Sequence, residues 1–425
     1  MAGFLDILRS GGWLTLSRVR LWALAVLIAS AGGLVYLVAT SDGLIDFQGR
    51  PLGTDFSNVY AAGTYVLDGK PAAPFDPRLQ HAREMEIFGA NTPFYGWHYP
   101  PFFLAVAAAL ALMPYQLALI VWQSVTLALY LLAIRAIVSH PIPAPPSEGQ
   151  AVSAPGGNLW LLLALAYPAV FVNLGHGHNG FLPAALMGFA LVTLDTRPIL
   201  AGVLFGLLAY KPQFGLMIPL VLVATGRWRT VFAAGATVAA LVIAATLAFG
   251  METWRAFFVF AEYTRAIVLE AGETGWHKIQ SVFSWARMWG APVTLAYAIQ
   301  GAVTLAVAAA MIWLWRSPAS FALKAAALCL AAILTTPYSI DYDLMVLAPA
   351  IAFLTVDGLA RGFAPWEKSA LAFLWAVPLL ARSFAEVTLI PLGVIAMLVV
   401  FGLILHRAGF SNRLRIHSRA VENPN

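Results

Sequence analysis

Residues 53–101 read GTDFSNVYAAGTYVLDGKPAAPFDPRLQHAREMEIFGANTPFYGWHYPP, a polar and acidic stretch in a polypeptide that is otherwise almost wholly apolar. Asp42, Asp46, Asp55, Asp68, Asp76, Glu84 and Glu86 fall between positions 41 and 101, with His98 and Tyr99 at the end of the run. A positioned carboxylate can take the proton from an attacking hydroxyl. Asp55 is the leading candidate for that role, although Thr54-Asp55 before an alternating Val/Tyr/Ala run also reads as the start of a helix. Asp68-Gly69 reads as a turn, and Glu84 with Glu86 as a solvated amphipathic face.

Four further polar clusters interrupt the apolar sequence. NLGHGHNG (173–180) brings His176, His178 and Asn179 into a Gly-flanked turn that could hold a metal or a phosphate, or serve only as a turn. YKPQ (210–213) places Lys211 and Gln213 inside an apolar hairpin, where the lysine either neutralises an anionic group or snorkels to the interface. Lys278, Gln280, Ser281 and Arg287 lie in the segment 250–290. TTPYSIDYD (335–343) carries Tyr338, Asp341 and Asp343, whose carboxylates also suit helix caps. Ionisable groups are costly near membrane depth, so their convergence on one face is a functional signal. Trp97, Tyr99, Trp254, Trp276, Trp285 and Trp289 fit an interfacial belt or a sugar pocket.

The surrounding elements must hold these groups in a bilayer. With 60% hydrophobic and 11% charged residues, the chain is not an ordinary soluble domain, in which about a quarter of residues are charged. It reads as an all-α polytopic membrane protein. The single cysteine, Cys329, sits in an apolar run, which excludes an internal disulfide and a cysteine-based metal site. The net charge of +5 does not point to nucleic acid, because the basic residues cluster at helix ends rather than among aromatics. P-loop, H-E-x-x-H and Rossmann-type glycine motifs are absent, so if the protein is a transferase its donor would be delivered from the membrane.

Twelve crossings are expected, at 21–40, 115–138, 158–174, 181–194, 199–210, 212–225, 230–249, 291–315, 321–335, 343–356, 369–382 and 388–406. The first is read as a retained helix, not a cleaved signal. Residues 101–113 are too short to span and are expected as a re-entrant or interfacial helix. With this count Arg197, Arg227, Arg229, Arg316, Lys324, Arg361, Lys368 and Arg407 share one side, the cytoplasmic one. The whole chain, 1–425, is then a single membrane domain. Large outer loops lie at 41–100, with short interfacial helices, and at 250–290. A Pro-rich linker at 139–157 and a tail at 407–425 are cytoplasmic.

The segments TDFSNVYAAGTYVLDGKPAAPFDP, WHYPPFF, NLGHGHNG, YKPQFGLMIPL, IQSVFSWAR and TPYSIDYDLMVLAPAIAFL, in that order, resemble glycosyltransferase family 87, over roughly 21–405. These are GT-C-type membrane enzymes similar to polyprenyl-phosphate-mannose-dependent mannosyltransferases of bacterial envelopes. The resemblance implies a GT-C fold in the bacterial inner membrane, an outward-facing (periplasmic) site, a polyprenyl-phosphate-linked hexose donor, and Asp55 as catalytic base. Departures occur at His178-Asn179, where relatives often carry Gln, and at Asp341 and Asp343, near which relatives often have His. They bear on donor sugar and acceptor.

The chemistry suits these residue types. A polyprenyl phosphate leaves as a stable anion, so the site needs cations or N–H donors more than a strong acid. Lys211, Lys278, Arg287 and His176 or His178 are the candidates, and a single base with in-line displacement would invert the anomeric centre. A divalent ion, Mg²⁺ or Mn²⁺, could be held by Asp55 with Asp341 or Asp343. The acceptor would be a lipid or glycan. Two other classes also fit twelve helices, a secondary transporter of envelope precursors and a non-catalytic scaffold. A transporter would carry its ionisable groups in mid-span, whereas here they lie at span ends beside a long first loop.

Overall fold

The computed structural model describes residues 2–139 and 157–422, with side chains at 3–139 and 157–409. Almost all of the expected Pro-rich linker at 139–157, and most of the tail at 407–425, lie outside the residues whose side chains are described. Among the described residues the chain is helical, and its only β pairings are isolated bridges.

Among the described residues six helices are long and apolar enough to cross a membrane: Leu16–Ala39, Tyr115–Val138, Trp228–Glu270, Val293–Arg316, Asp341–Arg361 and Leu392–Gly409. Two bent pairs bring the number to eight. Leu159–Leu165 and Pro168–His176 meet at 47°, and Glu367–Leu379 and Ala381–Thr388 meet at 79°. Proline lacks the amide hydrogen that a continuous helix needs, which accounts for the first bend at Pro168 and for the weakened helix around Pro378. The remaining expected crossings coincide with shorter apolar helices, Phe181–Thr193, Pro198–Tyr210, Pro212–Ala224 and Phe321–Leu334.

The segment 250–290 differs from a simple loop. The helix that begins at Trp228 runs on to Tyr263 through a break at Gly250 and continues as a π-helical stretch, Thr264–Glu270. Apolar Phe257 and Phe260 carry the continuation: Phe257 meets Phe75 of the first loop at 5.8 Å between ring centres, and Phe260 meets His98 at 5.2 Å. The second polar segment is thereby packed onto the first.

Phe321–Leu334 is the central post. Its alanine-rich sequence is buried on every side, as expected for a helix surrounded by protein, and small side chains let neighbouring backbones approach closely. It delivers the chain into the turn at 335–343 and then into Leu347–Arg361. At the far end of Leu347–Arg361 the buried Asp357 accepts from Ser320 (2.6 Å) and pairs with Arg407 (3.0 Å) and Arg361 (3.3 Å). Those charges tie the helix ends together at the pole opposite the aspartates of the turn.

The first loop is itself folded. Thr54–Leu67 and Pro77–Phe88 are helices, the second capped by Asp76, whose carboxylate accepts from Arg78 N and Leu79 N. Glu84 does not lie on a solvated face: it is fully buried, accepting from Tyr95 N and Gln80 Nε2. Its burial pushes its pKa up to about 7. Asp68 pairs with Arg83 at 2.7 Å. Trp97 is buried in the core, while Trp289 stays exposed as a belt residue would.

Candidate active site

Asp55 lies in the first turn of Thr54–Leu67, but its carboxylate makes no capping bond to that helix. It faces outward instead, with Oδ2 accepting from Thr54 Oγ1 at 3.3 Å and lying 3.1 Å from His178 Nε2. The approach depends on two glycines. Gly53 and Gly177 have φ of +69° and +66°, a region that costs other L-residues strain. A Cβ at Gly177 would stand 2.7 Å from Phe56 Cβ and 3.1 Å from Gly53 Cα. Only a bare backbone lets the His-Gly-His turn rest on the start of the Asp55 helix.

Asn173 fixes the turn from beneath. Its Nδ2 donates to the carbonyls of Ala169 and Tyr342, and its Oδ1 accepts from Gly180 N at 2.7 Å. The turn is thus bonded to the 335–343 segment as well as to its own helix. His178 stacks on Tyr342 with ring centres 3.6 Å apart, and Lys211 Nζ sits over the same ring at 4.4 Å. Lys211, itself buried, forms a 2.5 Å ion pair with buried Asp343. The attraction within such a pair offsets only part of the desolvation of its partners, and it commits Lys211 to Asp343. Asp343 Oδ2 also accepts from Ile340 N, and Asp341 Oδ1 from Tyr342 N, so both carboxylates do hold backbone at the turn.

These groups border a cavity of about 470 Å³. It is lined by Asp55, His98, Tyr99, His176, His178, Lys211, Gln213, Lys278, Tyr338 and Asp341, all singled out by sequence, together with Arg50, Thr54, Tyr95, Tyr210, Glu273, Tyr342 and Arg382. The five polar segments therefore meet at one place. The remaining sequence candidates do not line the cavity. Asp343 lies behind Lys211. Asn179 is buried under the turn. Gln280 is buried against Gly393, and its backbone N donates to Ser339 O at 2.6 Å. Ser281 caps the helix Val282–Met288. Arg287 donates to the carbonyls of Ala291 and Glu270 and lies over the Trp276 ring.

Of the lysines and arginines facing the cavity, Lys211 and Lys278 were chosen from sequence, and Arg50 and Arg382 were not. Arg382, on the short helix turned aside at the 79° bend, approaches Asp341 only at 3.9 Å. Arg50 and Lys278 have no ion pair among the described residues. Burial first, and then the nearby Arg382, hold Lys278 below the usual lysine range. Arg50, Lys278 and Arg382 around one cavity favour an anion between them, although Asp55, Asp341 and Glu273 line the same space. The only sequence hint of Arg382 was a lone arginine following an apolar run and Pro378. Arg50 was hidden among ordinary loop residues.

Asp55 is electrostatically unusual. Enclosure by protein pushes its pKa up to about 7, with Asp341 adding to the rise and Thr54, Lys278 and Lys211 opposing it. A third of its side-chain surface nonetheless remains open to the cavity. It is thus a carboxylate reachable by substrate and far more basic than one in water. Burial holds His98 down to about 4, neutral under physiological conditions, with its Nδ1 3.0 Å from Thr264 Oγ1.

No curated protein and no solved structure matches the chain. A family model described as glycosyltransferase family 87 matches residues 97–337, from the end of the first loop to the start of the turn at 335–343. That is more than half of the sequence, and with the apolar helices it makes the protein a membrane glycosyltransferase: the chain belongs to glycosyltransferase family 87.

Proposed function

We propose that the enzyme moves a hexose, mannose-like, from a polyprenyl-phosphate donor to a hydroxyl of a lipid or glycan acceptor, with inversion and with Asp55 as general base. The GT-C architecture of about twelve crossings belongs to the same reading. So do a single membrane domain, cytoplasmic termini, and a cavity on the periplasmic face of the bacterial inner membrane. The observation that carries it is an accessible carboxylate of raised pKa, Asp55, facing Arg50, Lys278 and Arg382 around one cavity.

In this reading Asp55 accepts the acceptor's proton as the hydroxyl oxygen attacks the anomeric carbon. The phosphate departs on the opposite face of the sugar with the bonding electron pair. Arg382 and Lys278 hold its oxygens, the guanidinium through paired N–H donors. Lys211, neutralised by Asp343, contributes shape and the orientation of Tyr342 rather than free charge. Tyr99, Tyr210 and Tyr338 offer ring faces and hydroxyls to a sugar.

Donor competition tests the substrate class. Purified protein in lipid vesicles is given a radiolabelled polyprenyl-phosphate hexose or the corresponding nucleotide sugar. Transfer from the lipid-linked donor with retention of activity in excess nucleotide sugar is expected. Transfer from the nucleotide sugar alone would overturn the reading.

A further inference from the structure

We infer that Asp55, His176 and His178 form a three-ligand site for a divalent transition-metal ion of the Zn²⁺ class, and that an ion bound there takes the carboxylate out of catalysis. The second clause rests on the proposed role of Asp55 as base, whereas the first stands on geometry alone.

One ligand atom from each of the three residues lies within 4.8 Å of the others. Around a tetrahedral ion with bonds of about 2.0–2.1 Å, ligand atoms stand about 3.3 Å apart. Asp55 Oδ2 and His178 Nε2, at 3.1 Å, are already at that spacing, so His176 has the larger adjustment to make. Its ring is the less buried of the two imidazoles, which leaves it room to turn.

The rings are supported as metal-bound imidazoles usually are, by outer partners that fix their orientation. Thr54 Oγ1 stands 2.8 Å from His176 Nδ1, and Tyr342 stacks on His178. The positive-φ Gly177 between the histidines and its contact with Gly53 hold the turn against the Asp55 helix before any ion arrives.

The donor set chooses the ion. Two imidazole nitrogens and one carboxylate oxygen match Zn²⁺ sites that keep an open position, whereas Mg²⁺ and Ca²⁺ prefer shells of oxygen. The open position here faces the cavity, since all three ligands line it. Coordination to a dication lowers the basicity of the carboxylate and covers its Oδ2, so occupancy silences transfer.

The experiment strips the full-length purified protein with chelator and titrates it with ZnCl₂ or MgCl₂. Bound metal is read by calorimetry and by elemental analysis after gel filtration. Wild type is expected to retain one Zn²⁺ per chain, with no Mg²⁺ retained. His176→Gln and His178→Gln should each lower Zn²⁺ affinity by about tenfold or more, and His277→Gln, outside the cavity, should leave it unchanged. Thermal melts with and without Zn²⁺ check folding: Zn²⁺ should raise the melting temperature of wild type and not of the two variants. Failure of wild type to retain Zn²⁺, or equal retention by the double His176→Gln/His178→Gln protein, overturns the site. Zn²⁺ bound through these histidines without loss of transfer overturns the silencing. Stoichiometric Zn²⁺ in a protein that transfers no sugar from any lipid-linked donor would leave the site standing and remove the proposed function instead.

Discussion

The Asp55 carboxylate meets the His178 imidazole at 3.1 Å, across an interface that exists because Gly53 and Gly177 present bare backbone to each other. This contact joins the first polar loop to the turn between two later helices. It places a carboxylate with a pKa near 7 at the wall of a cavity whose cations include Arg50 of the same loop and Lys278 and Arg382 from later parts of the chain.

The raised pKa gives the acid limb of the pH profile a definite place. A base works only when deprotonated, so activity should be present above the folded-state pKa and lost as pH falls through it. In chelator-containing buffer, kcat/KM is expected to fall with a midpoint near pH 7, not near 4 as for a solvated aspartate. Thr54→Val removes the hydrogen bond that stabilises the charged form and should move the limb to higher pH. A limb that stays put in the variant would show that another group is titrating.

Arg382 should matter through the donor's phosphate. A hydrogen bond to a charged group contributes about 1.5–3 kcal/mol, so Arg382→Gln is expected to lower kcat/KM by about 10-fold to 100-fold. Arg382→Lys should recover only part, because an ammonium lacks the paired donors of a guanidinium. Arg287→Gln, by contrast, should act on stability rather than on donor use, since its guanidinium bonds two loop carbonyls. Steady-state kinetics with the lipid-linked donor, alongside melting curves, separate the two effects.

Gly177→Ala tests the interface itself. The new methyl would meet Phe56 Cβ at 2.7 Å in a residue held at φ +66°. Left-handed strain and overpacking together should cost about 2 kcal/mol or more. A lower melting temperature and a disproportionate loss of transfer are expected. A variant that melts and works like wild type would show that the two loops do not depend on this contact.

Much of this site could be read from the sequence because membrane proteins confine polar groups so tightly. Asp55, His176, His178, Lys278 and Asp341 stood out against an apolar background, and they share one cavity. Pairwise commitments could not be read. Nothing in the sequence shows that Lys211 is spent on Asp343, or that Arg287 turns toward carbonyls. Backbone direction was equally hidden. A 79° bend brings Arg382 to the cavity, and a helix continuing past Gly250 replaces the first part of an expected loop. Glu84 looked solvent-facing from its charged neighbours, and only tertiary packing buries it.

The most direct measurement is sugar transfer by Asp55→Asn protein, with chelator present and folding confirmed by its melting curve. Loss of the general base should lower the transfer rate by about 10²-fold to 10⁴-fold with little change in donor binding. A rate within a few-fold of wild type would contradict the assignment of Asp55 as the base.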